Sequence, residues 1–158
     1  MIEILSVKND VSNGDTYCIK YIEKLKDGYE RVMTMDSPEP ARPEFDMALA
    51  HMAQDFCDLA MLVPKDTKNG MNPMERVKIC TVAVNHGQKS TKYSLTAKIF
   101  NPTTCKYQSV SLPAIEDVNI TQDIMEDIYH LFAEAERYVL GERAQTKLAF
   151  ADEQKAVS

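Results

Sequence analysis

The chain lacks any apolar run approaching 18 residues, so no helix of it is expected to cross a membrane. Its first residues, Met1-Ile2-Glu3-Ile4, carry no basic stretch followed by an apolar one, and no secretory leader is expected. It also lacks an excess of positive charge. With 18 bases against 24 acids the net charge is −6, which argues against a protein that coats nucleic acid with its whole surface. Closely spaced cysteines are missing too. The four stand at 18, 57, 80 and 105, and no pair has the two-to-four-residue spacing of a zinc knuckle or redox motif. Cys18, Cys57 and Cys80 sit in apolar or strand-like segments, as reduced structural thiols in a cytoplasm do.

Catalytic signatures are equally scarce. No Gly-x-Ser-x-Gly, His-Glu-x-x-His, P-loop or dinucleotide fingerprint occurs. The three histidines, His51, His86 and His130, make no constellation, so neither a metal nor any other cofactor is expected. Carboxylate pairs such as Glu126-Asp127 and Glu134/Glu136 fall on a helix face that reads as solvated. The expectation is a non-enzymatic protein.

What is present is strong periodicity. At 158 residues the chain is expected to form one α+β domain over residues 1–150, with 151–158 as a disordered tail. The segment Thr121 to Leu140 places Ile124, Ile128, Leu131, Phe132, Ala135, Tyr138 and Val139 at steps of three and four, one face of an α-helix. Asn119 with Gln122 has the spacing of a capping box. A first helix is expected from Pro43, suited to an N-terminal position, to Leu62, with Phe45, Ala48, Leu49, Met52, Ala53, Phe56, Cys57 and Ala60 inward; Pro64 stops it.

Strands fill the rest. Met1 to Lys8, Tyr17 to Leu25 and Tyr29 to Met35 read as a meander, the last two joined by Asp27-Gly28, a strong hairpin signal. Arg76 to Asn85, Lys92 to Phe100 and Cys105 to Leu112 form a second set, with Tyr93, Leu95, Ala97 and Ile99 alternating inward against Lys92, Ser94, Thr96 and Lys98. The order is βββα-βββα. It implies an antiparallel sheet of about six strands with two amphipathic helices on one face, and it hints at duplication. Gly141 interrupts the last helix, and a short segment beyond it could turn away to pack on a second copy of the chain, giving a homo-oligomer.

Charge is segregated along the chain. Residues 1–63 carry a net −6, residues 64–108 a net +6 and residues 109–158 a net −6. An outward sheet face bearing Lys78, Lys92, Lys98 and Lys106 could hold phosphate groups, with Tyr107 or Phe100 stacking a base and Lys68 arriving from the polar loop Lys65–Pro73. The competing reading is that these lysines keep a strand edge soluble.

Ala133-Glu134-Ala135-Glu136-Arg137-Tyr138 followed by Gly141-Glu142-Arg143-Ala144-Gln145 resembles a family of small bacteriophage and prophage proteins of Gram-positive hosts. Pro43-Glu44-Phe45 with Ala48-Leu49 and Cys57, and the strand around Leu95-Thr96-Ala97, are similar to the same family; Lys98-Ile99-Phe100 departs from it. The resemblance implies a phage accessory protein in the host cytoplasm. Two roles follow as expectations: counter-defence, by sequestering a nucleotide signal or inhibiting a host defence protein, or binding of single-stranded DNA in recombination or replication. The acidic flanks favour the first, because a phosphate chain leaving the basic island would meet like charge.

Overall fold

The computed structural model describes residues 1–10, 16–61 and 77–144. Strands β1 (Ile2–Asp10), β2 (Thr16–Lys24) and β3 (Glu30–Ser37) lead into helix α1 (Pro43–Leu59). Strands β4 (Val77–His86), β5 (Thr91–Asn101) and β6 (Lys106–Ser111), a two-residue β7 (Ile115–Glu116) and one 3-10 turn (Asp117–Asn119) lead into helix α2 (Gln122–Val139). All strands join one antiparallel sheet ordered β3-β2-β1-β4-β5-β6, with β7 pairing on β5. The expected α+β architecture is thus observed.

Both helices cover the same face. Ile4 and Val7, Tyr17 and Ile19, Val77, Ile79 and Val82, and Tyr93, Leu95 and Ala97 point beneath them. These meet Phe45, Leu49, Met52 and Phe56 of α1 and Ile124, Ile128, Leu131 and Tyr138 of α2. β-branched and aromatic residues on one side of each strand, against leucine, methionine and phenylalanine at helical spacing, is what binds sheet to helix. The hairpin at Asp27-Gly28 forms as expected, with Gly28 at φ 86°. Gly141 (φ 105°) ends α2 in the left-handed conformation that glycine adopts without strain.

The register reveals an internal two-fold relation. β1 has a bulge between Ile4 and Ser6, and β4 has one between Ile79 and Thr81. Aligning the two bulges makes Val7 the counterpart of Val82, and these two residues are directly paired where β1 meets β4. Their neighbours obey the same exchange: Ser6 pairs with Ala83 and Lys8 with Thr81, each the counterpart of the other pair's member. The same alignment matches Tyr17 with Tyr93 and Ile19 with Leu95. Counting from the residues that precede the helices, Arg42 and Thr121, it matches Phe45 with Ile124, Leu49 with Ile128 and Met52 with Leu131. The chain is therefore two βββα units around an axis between Val7 and Val82, both fully buried.

The same count pairs two buried acids, Asp55 and Glu134, 7% and 5% exposed. Glu134, expected on a solvated face, instead lies under the start of α1, with the Arg42 guanidinium 3.6 Å from its Oε2. Arg42 also reaches Glu44 and Glu142, at 3.5 and 3.4 Å. Asp55 has no such cation among the described residues. Its neighbours are Asp127 and Asp123 of α2 and Asp58 of its own helix. Burial, the hydrogen bond to Asp127 and the surrounding negative charge push its carboxyl up to about 8. The Asp55 carboxyl therefore keeps its proton at neutral pH.

Three further expectations are corrected. Helix α1 ends at Leu59, before Leu62, with Met61 in a positive-φ turn. Of the two candidate caps, Asn119 and Thr121, it is Thr121 that stands at the α2 N-cap, and no side chain caps the helix, so the Asn119–Gln122 capping box does not form. Residues 142–144 do not turn away. The Arg143 guanidinium stacks 3.5 Å from the Tyr138 ring centroid, donates to the Tyr138 carbonyl and pairs with Glu39 at 2.8 Å. The Ala144 amide donates to the Pro40 carbonyl at 3.1 Å. The expected segment beyond, the loop Lys65–Pro73 and the tail 151–158 lie outside the described residues.

Candidate functional site

Among the described residues no helix covers the other face of the sheet, and there the second βββα unit builds three adjacent cross-strand rows. Because directly opposed residues in antiparallel strands share a face, the register defines the rows without further assumption. The first is aromatic: Phe100 opposes Tyr107, with ring centroids 5.4 Å apart in an edge-to-face arrangement. The second is cationic: Lys78 opposes Lys98, which opposes Ser109. The third is hydroxylic: Thr81 opposes Thr96, which opposes Ser111, and Thr96 Oγ1 lies 3.1 Å from Ser111 Oγ. Lys8 of β1 extends this third row from across the centre of the sheet.

Two like charges placed directly opposite each other cost a sheet stability. Among the described residues neither Lys78 nor Lys98 has a carboxylate within ion-pair distance to offset that cost. Lys78 Nζ leans instead over the Tyr107 ring, 5.6 Å from its centroid. The corresponding positions of the first unit carry Glu3 opposite Ile22, and Lys24 opposite Glu30. There Glu3 is neutralised by Lys24 at 3.8 Å and by His86 at 3.0 Å. One backbone frame thus carries a self-compensated set of charges in its first copy and an uncompensated lysine pair beside an aromatic in its second.

Not every residue singled out in the sequence arrives at this place. Lys78, Lys98, Tyr107 and Phe100 do. Lys92 shares the face, but it stands six residues from Lys98, about 20 Å along β5, and opposes Glu116. Lys106 opposes Asn101, which the alternation of β5 puts on the helix side, so it is removed from the other lysines. Lys68 lies outside the described residues. Lys8, Thr81 and Ser111 were not singled out. The only signal for them was strand alternation, and the bulge at Cys80 shifts that alternation by one residue in the middle of β4.

Three of the four cysteines, Cys18, Cys57 and Cys80, are poor nucleophiles. All four are free. Burial, a hydrogen bond to Asp36 and the charge of Asp36 push the Cys18 thiol up to about 11, against a smaller opposing effect of Lys8. Burial also raises Cys57 and Cys80, with Lys98 and Lys8 partly offsetting it at Cys80. Cys18, Cys57 and Cys80 thus stay protonated at neutral pH. No group of three or more His, Cys, Asp or Glu side chains suited to a metal ion occurs among the described residues. No helix of the described chain is long and apolar enough to cross a membrane.

The arrangement can bind an anion with an attached ring. Adjacent rows on a strand are two residues, roughly 6.6–6.8 Å, apart. A base on Tyr107 and a phosphate between the two ammonium groups span one such step, with the hydroxyl row reaching the next phosphate oxygen. No protein-family model, curated protein or solved structure matches the chain.

Proposed function

We propose that this is a non-enzymatic binding protein whose open sheet face takes a phosphorylated nucleotide. Within the phage setting that the sequence resemblance implies, it withholds a nucleotide signal from host defence. The observation that carries this reading is the Lys78–Lys98 pair, opposed without a neutralising carboxylate and flanked by Tyr107 and by hydroxyls. A like-charge pair of this kind becomes favourable when a dianionic group sits between its members, each charged hydrogen bond then contributing about 1.5–3 kcal/mol.

Thermal shift with a panel of mononucleotides, cyclic nucleotides and ADP-ribose-type compounds is the test. At least one compound should raise the Tm, and the double change Lys78→Glu, Lys98→Glu should weaken its binding more than about tenfold. Both lysines point to solvent from formed strands, so the fold should survive. Absence of a shift with every compound, or a shift that the double change leaves intact, overturns the assignment.

The second reading, a single-stranded nucleic acid, draws on Lys8 and Lys20, which are exposed and face the same side from the first unit. It predicts retention of an oligonucleotide with a salt slope steeper than about −3, that of four or more phosphates on a single strand. A nucleotide held by two lysines gives a slope nearer −1.4 by the same rule.

A further inference from the structure

A cleft of about 310 Å³ opens on the helix side, between α2 and the ends of β1, β4 and β5. It is distinct from the open face and has a different chemistry. Its lining is mainly apolar, from Ile4 and Val84 in the sheet and from the rings of Tyr93, Tyr129 and Phe132. The Tyr93 phenol is pushed up to about 12 by burial, by the nearby Tyr129 phenol and their hydrogen bond, and by Asp117. Tyr129 leaves 58% of its surface to solvent.

The polar members of the lining are Glu3, His86 and Glu136. Glu3 is engaged by His86 and Lys24. Glu136 has no ion pair among the described residues. The internal two-fold relation shows that this equipment belongs to one unit only. Tyr129, Phe132 and Glu136 of α2 correspond to Ala50, Ala53 and Cys57 of α1, so the shared frame demands neither the rings nor the carboxylate.

Three kinds of occupant can be weighed by charge. A phosphate would meet two carboxylates. A neutral apolar group would strip water from Glu136 and return no partner, at a cost of roughly 1–3 kcal/mol. A cation on an apolar stem satisfies every part of the lining: its methylenes lie on Ile4, Val84 and Phe132, its charge meets the Tyr129 face, and Glu136 closes the pair. The volume lies at the lower end of the about 300–1,000 Å³ of small-ligand sites, enough for one long side chain. We propose that this cleft receives a lysine or arginine side chain of a partner polypeptide. The inference goes beyond the nucleotide reading and is independent of it.

The test titrates the full chain with N-acetyl-lysine methylamide and N-acetyl-arginine methylamide, whose blocked backbones leave the side chain as the only charge. Amide NMR shifts report the result. Saturable changes confined to the Tyr129–Glu136 turns and to β4 near Val84 are expected, with a Kd on the order of 1–10 mM. The Nε-acetylated lysine analogue should cause none. Glu136→Gln should weaken binding about tenfold, and Tyr129→Ala should weaken it as well. Tyr129 is exposed and Glu136 is half-buried, and Glu136→Gln keeps the shape if Tyr129→Ala disturbs the helix. Lys78→Glu with Lys98→Glu should leave these shifts unchanged, which separates this site from the open face. Equal binding of the acetylated analogue, indifference to Glu136→Gln, or no saturation by about 50 mM overturns the proposal.

Discussion

Asp55 and Glu134 occupy the same place in two copies of one unit and meet opposite fates. Glu134 has a guanidinium 3.6 Å away. Asp55 has Asp127, Asp123 and Asp58 around it and keeps a proton. Its folded-state carboxyl titrates near 8, above the value of 3.8 for the unfolded chain. The proton is thus bound more tightly by the folded protein. Its contribution to stability is complete below about 4, falls as the pH rises through the interval, and is lost above about 8. The expected outcome is that Asp55→Asn, which keeps the shape without the charge, is more stable than the parent at pH 9 by roughly 1–3 kcal/mol, and that the difference shrinks or reverses by pH 5. Denaturant melts of both proteins across that range check it; parallel curves would refute the raised Asp55 carboxyl. Nothing in the linear pattern marked Asp55, because a lone acid within an apolar stripe has the same period as its neighbours.

At the scale of elements, the two helices lie antiparallel, so the C-terminal half of α2 meets the start of α1. Arg42 bridges them through Glu134 and Glu142. Arg42→Ala should cost about 1–3 kcal/mol, below the full value for a buried pair because its side chain keeps some water. On a Glu134→Gln background most of that cost should vanish, and a double-mutant cycle by urea melts measures the coupling. Both helices and all six long strands were legible in the sequence within two or three residues, since 3.6- and 2-residue periods survive as local patterns. Strand β7 was not legible, because two residues cannot display a period. Glu134 was misread for a related reason. A helical wheel ranks faces by polarity, whereas the loop carrying Arg42, which receives this carboxylate, is remote in sequence.

For the whole molecule, the decisive contact is the β1–β4 junction, where two three-stranded units become one sheet. Val7 and Val82 face each other there with no exposed surface. Val7→Ala and Val82→Ala should each cost roughly 1.5–3 kcal/mol. Their combination should depart from additivity by about 0.5 kcal/mol or more, since they share one cavity. Strict additivity in a thermal or urea melt would argue against direct packing across the axis. The candidate site was only half legible on this scale. The alternation on β5 and the positive middle third of the chain pointed to Lys98 and Lys78. Charge counting could not say that Lys106 falls on the other face, that Lys92 stands about 20 Å along β5 from Lys98, or that Lys8 from the acidic first third joins the hydroxyl row.

Amphipathic period, turn residues and strand alternation are local properties, and by themselves they determined the two helices, the strands and their order, and with them an antiparallel sheet covered on one side. Which charges become neighbours depends on register, on two bulges and on the docking of one βββα unit against the other. Each of these joins residues tens of positions apart through hydrogen bonds that no local pattern encodes. The opposed lysines beside an aromatic, the cleft carrying Glu136, and the acidic surroundings that raise the Asp55 carboxyl were therefore decided by tertiary structure alone.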